Sequence, residues 1–188
     1  MKALVFSRHP GQPVTHPALF SLIPDSAVTP SGMPVFLPPF ESSWELAIGP
    51  AYRIGRLGKN IAPKFAMRYI DGMTLGAWAV PVDLLKELQG NGQPIGLLST
   101  FDGALTLGEW QEPLHDMPLT MSIRQTHANW TPDEIRLGEA LQAASRYVTL
   151  KTGDVIIPML SPVRHPIVPD DIIEGSMGGK EVIRVKIK

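Results

Sequence analysis

Between Ile70 and Val80 the chain runs for eleven residues, IDGMTLGAWAV, with Asp71 as its single charge. A strand with one solvated face alternates apolar and polar residues, and this run offers water almost nothing, so it reads as a strand buried on both faces. Pro81 ends it, and Val82 to Gln89 reads as a short helix stopped by Gly90-Asn91-Gly92. A second long run, Trp44 to Ile54, is strand-like too, with Gly49-Pro50 and Gly55 as bends. The 19 prolines and 17 glycines follow no period, which favours many short elements joined by tight turns over a helix bundle. The fold class expected is α+β, mostly β, in one domain over residues 1–188, with short helices near residues 62–69, 82–89 and 132–147.

Lys2 to Ser7 reads as a first strand and Arg8 to Pro17 as a loop whose His9 and His16 are solvated. Met33 to Leu37 reads as a strand ending at an edge or corner made by Pro38-Pro39. Between Lys59 and Tyr69 the set Ile61, Phe65, Met67, Tyr69 fits a short helix lying across the sheet, capped by Asn60 with Pro63 in its first turn. Thr131-Pro132-Asp133-Glu134 is a capping box, and Leu137, Leu141, Ala144 and Val148 follow at near 3.6-residue spacing as one apolar face. Leu119 to Arg124 and Val155 to Met159 read as strands, and Ile172 to Glu174 pairs with Val182 to Ile187 across a turn at Ser176 to Gly179.

With 188 residues, 44% hydrophobic composition and a net charge of -1, the chain has a core to bury and no electrostatic case for nucleic acid or an anionic membrane as partner. It has no cysteine, which excludes disulfides and thiolate metal sites. Arg8, His9 and Pro10 end the first apolar run short of the ~7–15 residues of a signal-peptide core, and no run reaches the ~20 residues of a membrane span. A cytoplasmic setting is expected.

In Ser43-Trp44-Glu45 the first and third side chains point the same way on a strand, so acids at both would form a two-carboxylate metal clamp; Glu45 alone is acidic. Trp44-Glu45-Leu46-Ala47-Ile48-Gly49, then Tyr69 to Trp78, resemble the two metal-site strands of the fumarylacetoacetate hydrolase family. Phe101-Asp102-Gly103, Leu107-Gly108-Glu109-Trp110, Ser145 to Ile156 and Val168 to Ile172 extend the resemblance in order. It implies a C-terminal-domain-like mixed β-roll or sandwich, a homodimer, and chemistry on acylpyruvates and other 2-oxo acids: hydrolysis, decarboxylation or isomerisation. The reaction would be assisted by Mg2+ or Mn2+ held on three carboxylates, because a hard cation chelates the 2-oxo acid and stabilises the enolate.

Carried onto this chain, the resemblance puts the three metal ligands at Ser43, Glu45 and Trp78, and an active-site lysine at Ser99 or Thr100. A second basic residue falls at Ile23, and no His-x-x-Glu stands in the Arg8 to Pro17 loop. Only Glu45 keeps its ligand chemistry, while Trp44 and Trp78 read as core. Asn129, Thr131 and Ser161 match positions facing the substrate, and Arg164 and His165, just after Ser161-Pro162, are expected in the same pocket. The expectation is a family member with a degenerate, weak or inactive metal site and no cofactor, still binding a small 2-oxo carboxylate. Two alternatives stand beside it: an active Mg2+- or Mn2+-dependent hydrolase, lyase or isomerase in which Glu41, Asp71 or Asp102 joins Glu45, and a non-catalytic partner-binding protein.

Overall fold

The computed structural model of the chain describes residues 1–6, 20–113, 118–124, 126–130, 136–160 and 164–188. The strands, in chain order, are β1 (Lys2–Phe6), β2 (Phe20–Pro24), β3 (Val28–Pro30), β4 (Trp44–Ile54), β5 (Ile70–Pro81), β6 (Leu105–Leu107), β7 (Leu119–Ile123), β8 (Thr126–Trp130), β9 (Val155–Ile157), β10 (His165–Ile167), β11 (Ile172–Met177) and β12 (Lys180–Lys186). Two α-helices, α1 (Val82–Gly90) and α2 (Leu137–Tyr147), and 3-10 turns at Asp25–Ala27, Pro63–Tyr69 and Gly96–Ser99 complete the elements of the described residues. The structure is thus mostly β, as expected.

One sheet has the order β2-β1-β9-β4-β5-β6-β3, with β10 also paired to β4; the second has the order β12-β11-β7-β8. Strands β4 and β5 are antiparallel over their whole length, and every residue of β5 except Asp71 is buried. The charge-free run therefore does what its composition demands: it lies between β4 and β6, with the second sheet packed near it. Gly175 of β11 marks that approach. A Cβ there would stand 2.7 Å from Leu75 Cδ1 of β5, so the missing side chain is what lets the two sheets close.

Several local expectations change. Gly49-Pro50 makes no bend, since both residues keep register inside β4, opposite Gly76 and Leu75. The Leu75 carbonyl accepts from Gly108, away from β4, so Pro50 stands in a pair without ladder bonds and its missing N–H faces away from β5. Met33 to Leu37 forms no strand; Val35 makes an isolated bridge to Ile187. Pro63–Tyr69 is a 3-10 turn rather than an α-helix. Asn60 is not its cap but holds a left-handed conformation (φ 53°), and Phe65 and Met67 are exposed while Ala66 is buried. The turn packs on α2. The capping box of Thr131 to Glu134 lies outside the described residues, and α2 buries Leu137, Leu141 and Ala144 as the spacing predicts. No helix of the described residues is long and apolar enough to cross a membrane.

Candidate functional site

The register of β4 on β5 builds the site. Glu45 stands opposite Val80, and Ala47 opposite Trp78. Paired residues share a face and side chains alternate, so Glu45, Ala47, Gly49, Trp78 and Val80 present to one side of the sheet. Ser43 precedes β4; its carbonyl accepts the Val82 N–H at 2.9 Å, continuing the ladder two pairs beyond Glu45 and Val80. Along a strand, Ser43 is therefore about 13 Å from Ala47, the residue that Trp78 faces, at ~3.3 Å per residue.

Trp78 is buried at 7% exposure, and its indole Nε1 donates to the Leu98 carbonyl at 3.2 Å. That carbonyl belongs to the Gly96–Ser99 turn, where the resemblance puts a lysine; Ser99 is buried and its Oγ donates to the Gly96 carbonyl at 3.1 Å, whereas Thr100 is exposed. The Met159-Leu160 backbone crosses against Gly49, two residues along β4 from Ala47: a Cβ on Gly49 would overlap the Met159 carbonyl oxygen and lie 3.3 Å from the Leu160 Cα.

At its outer end Glu45 is half-buried and faces Arg164, with Oε2 to Nη1 at 3.9 Å. The other acids named from sequence are engaged elsewhere. Glu41 Oε2 accepts the N–H groups of Asp83 and Leu84, each at 3.0 Å, at the start of α1, and Oε1 accepts those of Ser42 and Ser43 at 2.8 Å. Burial pushes its carboxyl up, but these four backbone bonds outweigh it and hold it below the ordinary value. Asp71 accepts from Arg53 Nε at 2.7 Å. Asp102 is exposed in a tight turn with Gly103 at φ 81°.

Trp44 is core, as expected, and its Nε1 donates to the Glu41 carbonyl. Among the described residues no three His, Asp or Glu side chains cluster as a metal site. A hard divalent cation takes about six oxygen ligands, and this face offers one carboxylate already facing a guanidinium; these residues do not fit such a cation.

Arg164 and Glu45 are thus brought together. Asn129 sits on β8 in the other sheet, exposed, while Thr131, Ser161, His9 and His16 lie outside the described residues. His165, which the sequence places beside Arg164 as a pocket candidate, is the first residue of β10. It pairs with Leu46, hence on the opposite face from Glu45, and it is buried with Nε2 unpartnered among the described residues; burial lowers its pKa and favours neutral imidazole.

Residues 3–158 match the family model described as the C-terminal domain of fumarylacetoacetate (FAA) hydrolase. The mitochondrial oxaloacetate tautomerase FAHD1 of Mus musculus is 24% identical over 184 residues, covering 93% of this chain and 82% of the relative. Among solved structures, fumarylpyruvate hydrolase from Pseudomonas aeruginosa in complex with Mn2+ and pyruvate superposes with a TM-score of 0.86 at 16% identity, over 100% of this chain and 89% of that one. A 2-hydroxyhepta-2,4-diene-1,7-dioate isomerase from Mycobacterium marinum gives a TM-score of 0.83 at 19% identity, over 99% and 73%. Two interlocked strands in the order and spacing of that family, and a family match over most of its length, make this chain a member of the fumarylacetoacetate hydrolase family.

Proposed function

We propose that this chain keeps the fold of its family without the family's carboxylate-held cation, and that the surviving end of the site recognises a small 2-oxo carboxylate through Arg164. The observation that carries this reading is Trp78, which lies two residues from Val80, the partner of Glu45, on the same face, is buried, and donates to the Leu98 carbonyl. A guanidinium fork takes a carboxylate in two parallel hydrogen bonds. At 3.9 Å Glu45 holds Arg164 by charge rather than by a hydrogen bond, so an anionic ligand competes with it for the fork at modest cost. Without a ligand set for a Lewis acid, developing enolate charge finds one cationic group, and binding without turnover is expected.

The second reading, an active divalent-dependent hydrolase, lyase or isomerase, is favoured by the relatives, which include a fumarylpyruvate hydrolase complexed with Mn2+ and pyruvate and an oxaloacetate tautomerase. Calorimetric titration with pyruvate and with oxalate, in EDTA and in Mn2+, separates the two. The proposal expects saturable binding in EDTA that weakens about tenfold or more in Arg164→Ala, as loss of a charged hydrogen-bond pair implies. Binding that requires Mn2+ and disappears in Glu45→Ala would establish the second reading, and no binding under either condition would remove carboxylate recognition.

A further inference from the structure

We propose that the face built from residues 55–69 and the end of α2 docks an acidic segment of a protein partner. From Arg53 to Arg68 the chain carries five cations and no acid. Folding adds two more. Gly58 and Leu150 exchange both backbone hydrogen bonds at 2.9 Å, which brings Lys151 alongside, and Lys59 Nζ donates to the Arg146 carbonyl at 3.2 Å.

Arg56, Lys59, Lys64, Arg68, Arg146 and Lys151 are all exposed, and none is in an ion pair among the described residues. The nearby acids among the described residues are engaged: Asp71 with Arg53, buried Asp154 with Lys2, and Glu139 with Arg136. In a chain of net charge -1, six cations without an ion pair among the described residues concentrate a positive field that draws anionic partners.

Apolar side chains lie among these cations. Leu57 is 68% exposed, Tyr147 58%, and Phe65 and Met67 37% each. Phe65 is flanked by Arg68 Cζ at 4.7 Å and Lys64 Nζ at 5.0 Å from its ring centre, and Tyr69 by Arg56 Cζ at 6.0 Å. These contacts decide between polyanions. Phe65 and Tyr69 are already flanked by the chain's own cations, which leaves Tyr147 as one open ring among the described residues of this face, whereas a single-strand binder stacks successive bases on several. The acidic excess that must reside on the rest of a near-neutral chain also opposes a long phosphate backbone. A mixed cationic and apolar surface is matched instead by a peptide that alternates carboxylates with apolar residues. Symmetric pairing of two copies through this face would oppose like charges.

The test uses fluorescence anisotropy of the full chain with a labelled peptide of about twelve alternating Glu and Leu residues, against an oligo-dT strand and phosphatidylserine vesicles. The expected result is binding of the peptide in preference to both. Affinity should fall about tenfold or more when salt rises from ~25 to ~250 mM, and again when Arg56, Lys64 and Arg68 are each changed to Glu. Lys86→Glu, on α1, serves as the control and should leave affinity unchanged. Arg146→Glu with Lys151→Glu is a second, independent variant should the triple change fail to fold. No binding at low salt, affinity unmoved by either charge-reversed variant, or tighter binding to the oligonucleotide or the vesicles would overturn the proposal.

Discussion

Glu41 is an acid that sequence offers as a metal ligand and the structure uses to hold main chain. Its two oxygens take four backbone N–H groups, two of them from the first turn of α1, whose own N-cap is Pro81. A carboxylate there satisfies orphan donors and meets the positive end of the helix dipole. Because the folded-state pKa lies below its ordinary 4.5, the stabilisation is fully present above that value and is lost as pH falls through the lowered one. Glu41→Gln should therefore cost about 1 kcal/mol at pH 7, typical of a lost cap, and the gap from wild type should narrow in urea melts as pH falls below 4.5. Equal stability at pH 7 would show the cap to be idle. Sequence could not reveal this role, because the acceptor stands 42 residues before Asp83, the first donor it meets on α1. The same local reading chose Asn60 as a cap, where the chain instead needed a residue tolerant of positive φ.

At the scale of elements, legibility followed burial. The bounds of strands β4 and β5 were readable because nearly every residue between them is buried, and the α2 face was readable because a helix with one buried side must repeat near every third or fourth residue. Leu141, fully buried on α2, should lose about 2–5 kcal/mol when cut to Ala, measured by denaturant unfolding; a loss under about half a kcal/mol would put that helix at the periphery.

Interiors of elements were less legible where tertiary approach decides. Gly49-Pro50 has turn chemistry, yet the pair lies in a straight strand because a main-chain crossing needs the glycine and an unpaired edge tolerates the proline. Gly49→Ala should destabilise by about 1–3 kcal/mol through overpacking against Met159, despite adding a better strand former. Unchanged stability would mean that the Met159-Leu160 crossing moves aside freely. At 63–69, Phe65 and Met67 belong to the apolar set expected on a short helix lying across the sheet, but the 3-10 helix packs on α2 and leaves both exposed, Phe65 among cations.

For the whole molecule, one face of β4 and β5 carries Glu45, Ala47 and the buried Trp78, with the Met159-Leu160 main chain against Gly49, and the proposed function rests on that arrangement. The family was readable from motif order across the sequence, and so was the burial of Trp78. The pairing of Ala47 with Trp78, the Leu98 acceptor and the Arg164 neighbour of Glu45 needed the assembled sheet, because each joins residues between 20 and 119 positions apart. The most direct test of the central claim is the melting temperature of the wild-type chain with and without about 5 mM Mn2+. A cation that binds only the folded state raises stability by RT ln(1 + [L]/Kd), so a site with a dissociation constant 100-fold below that concentration would add ~2.7 kcal/mol and several degrees. The account predicts no rise beyond error, and a rise of several degrees that EDTA reverses would contradict it.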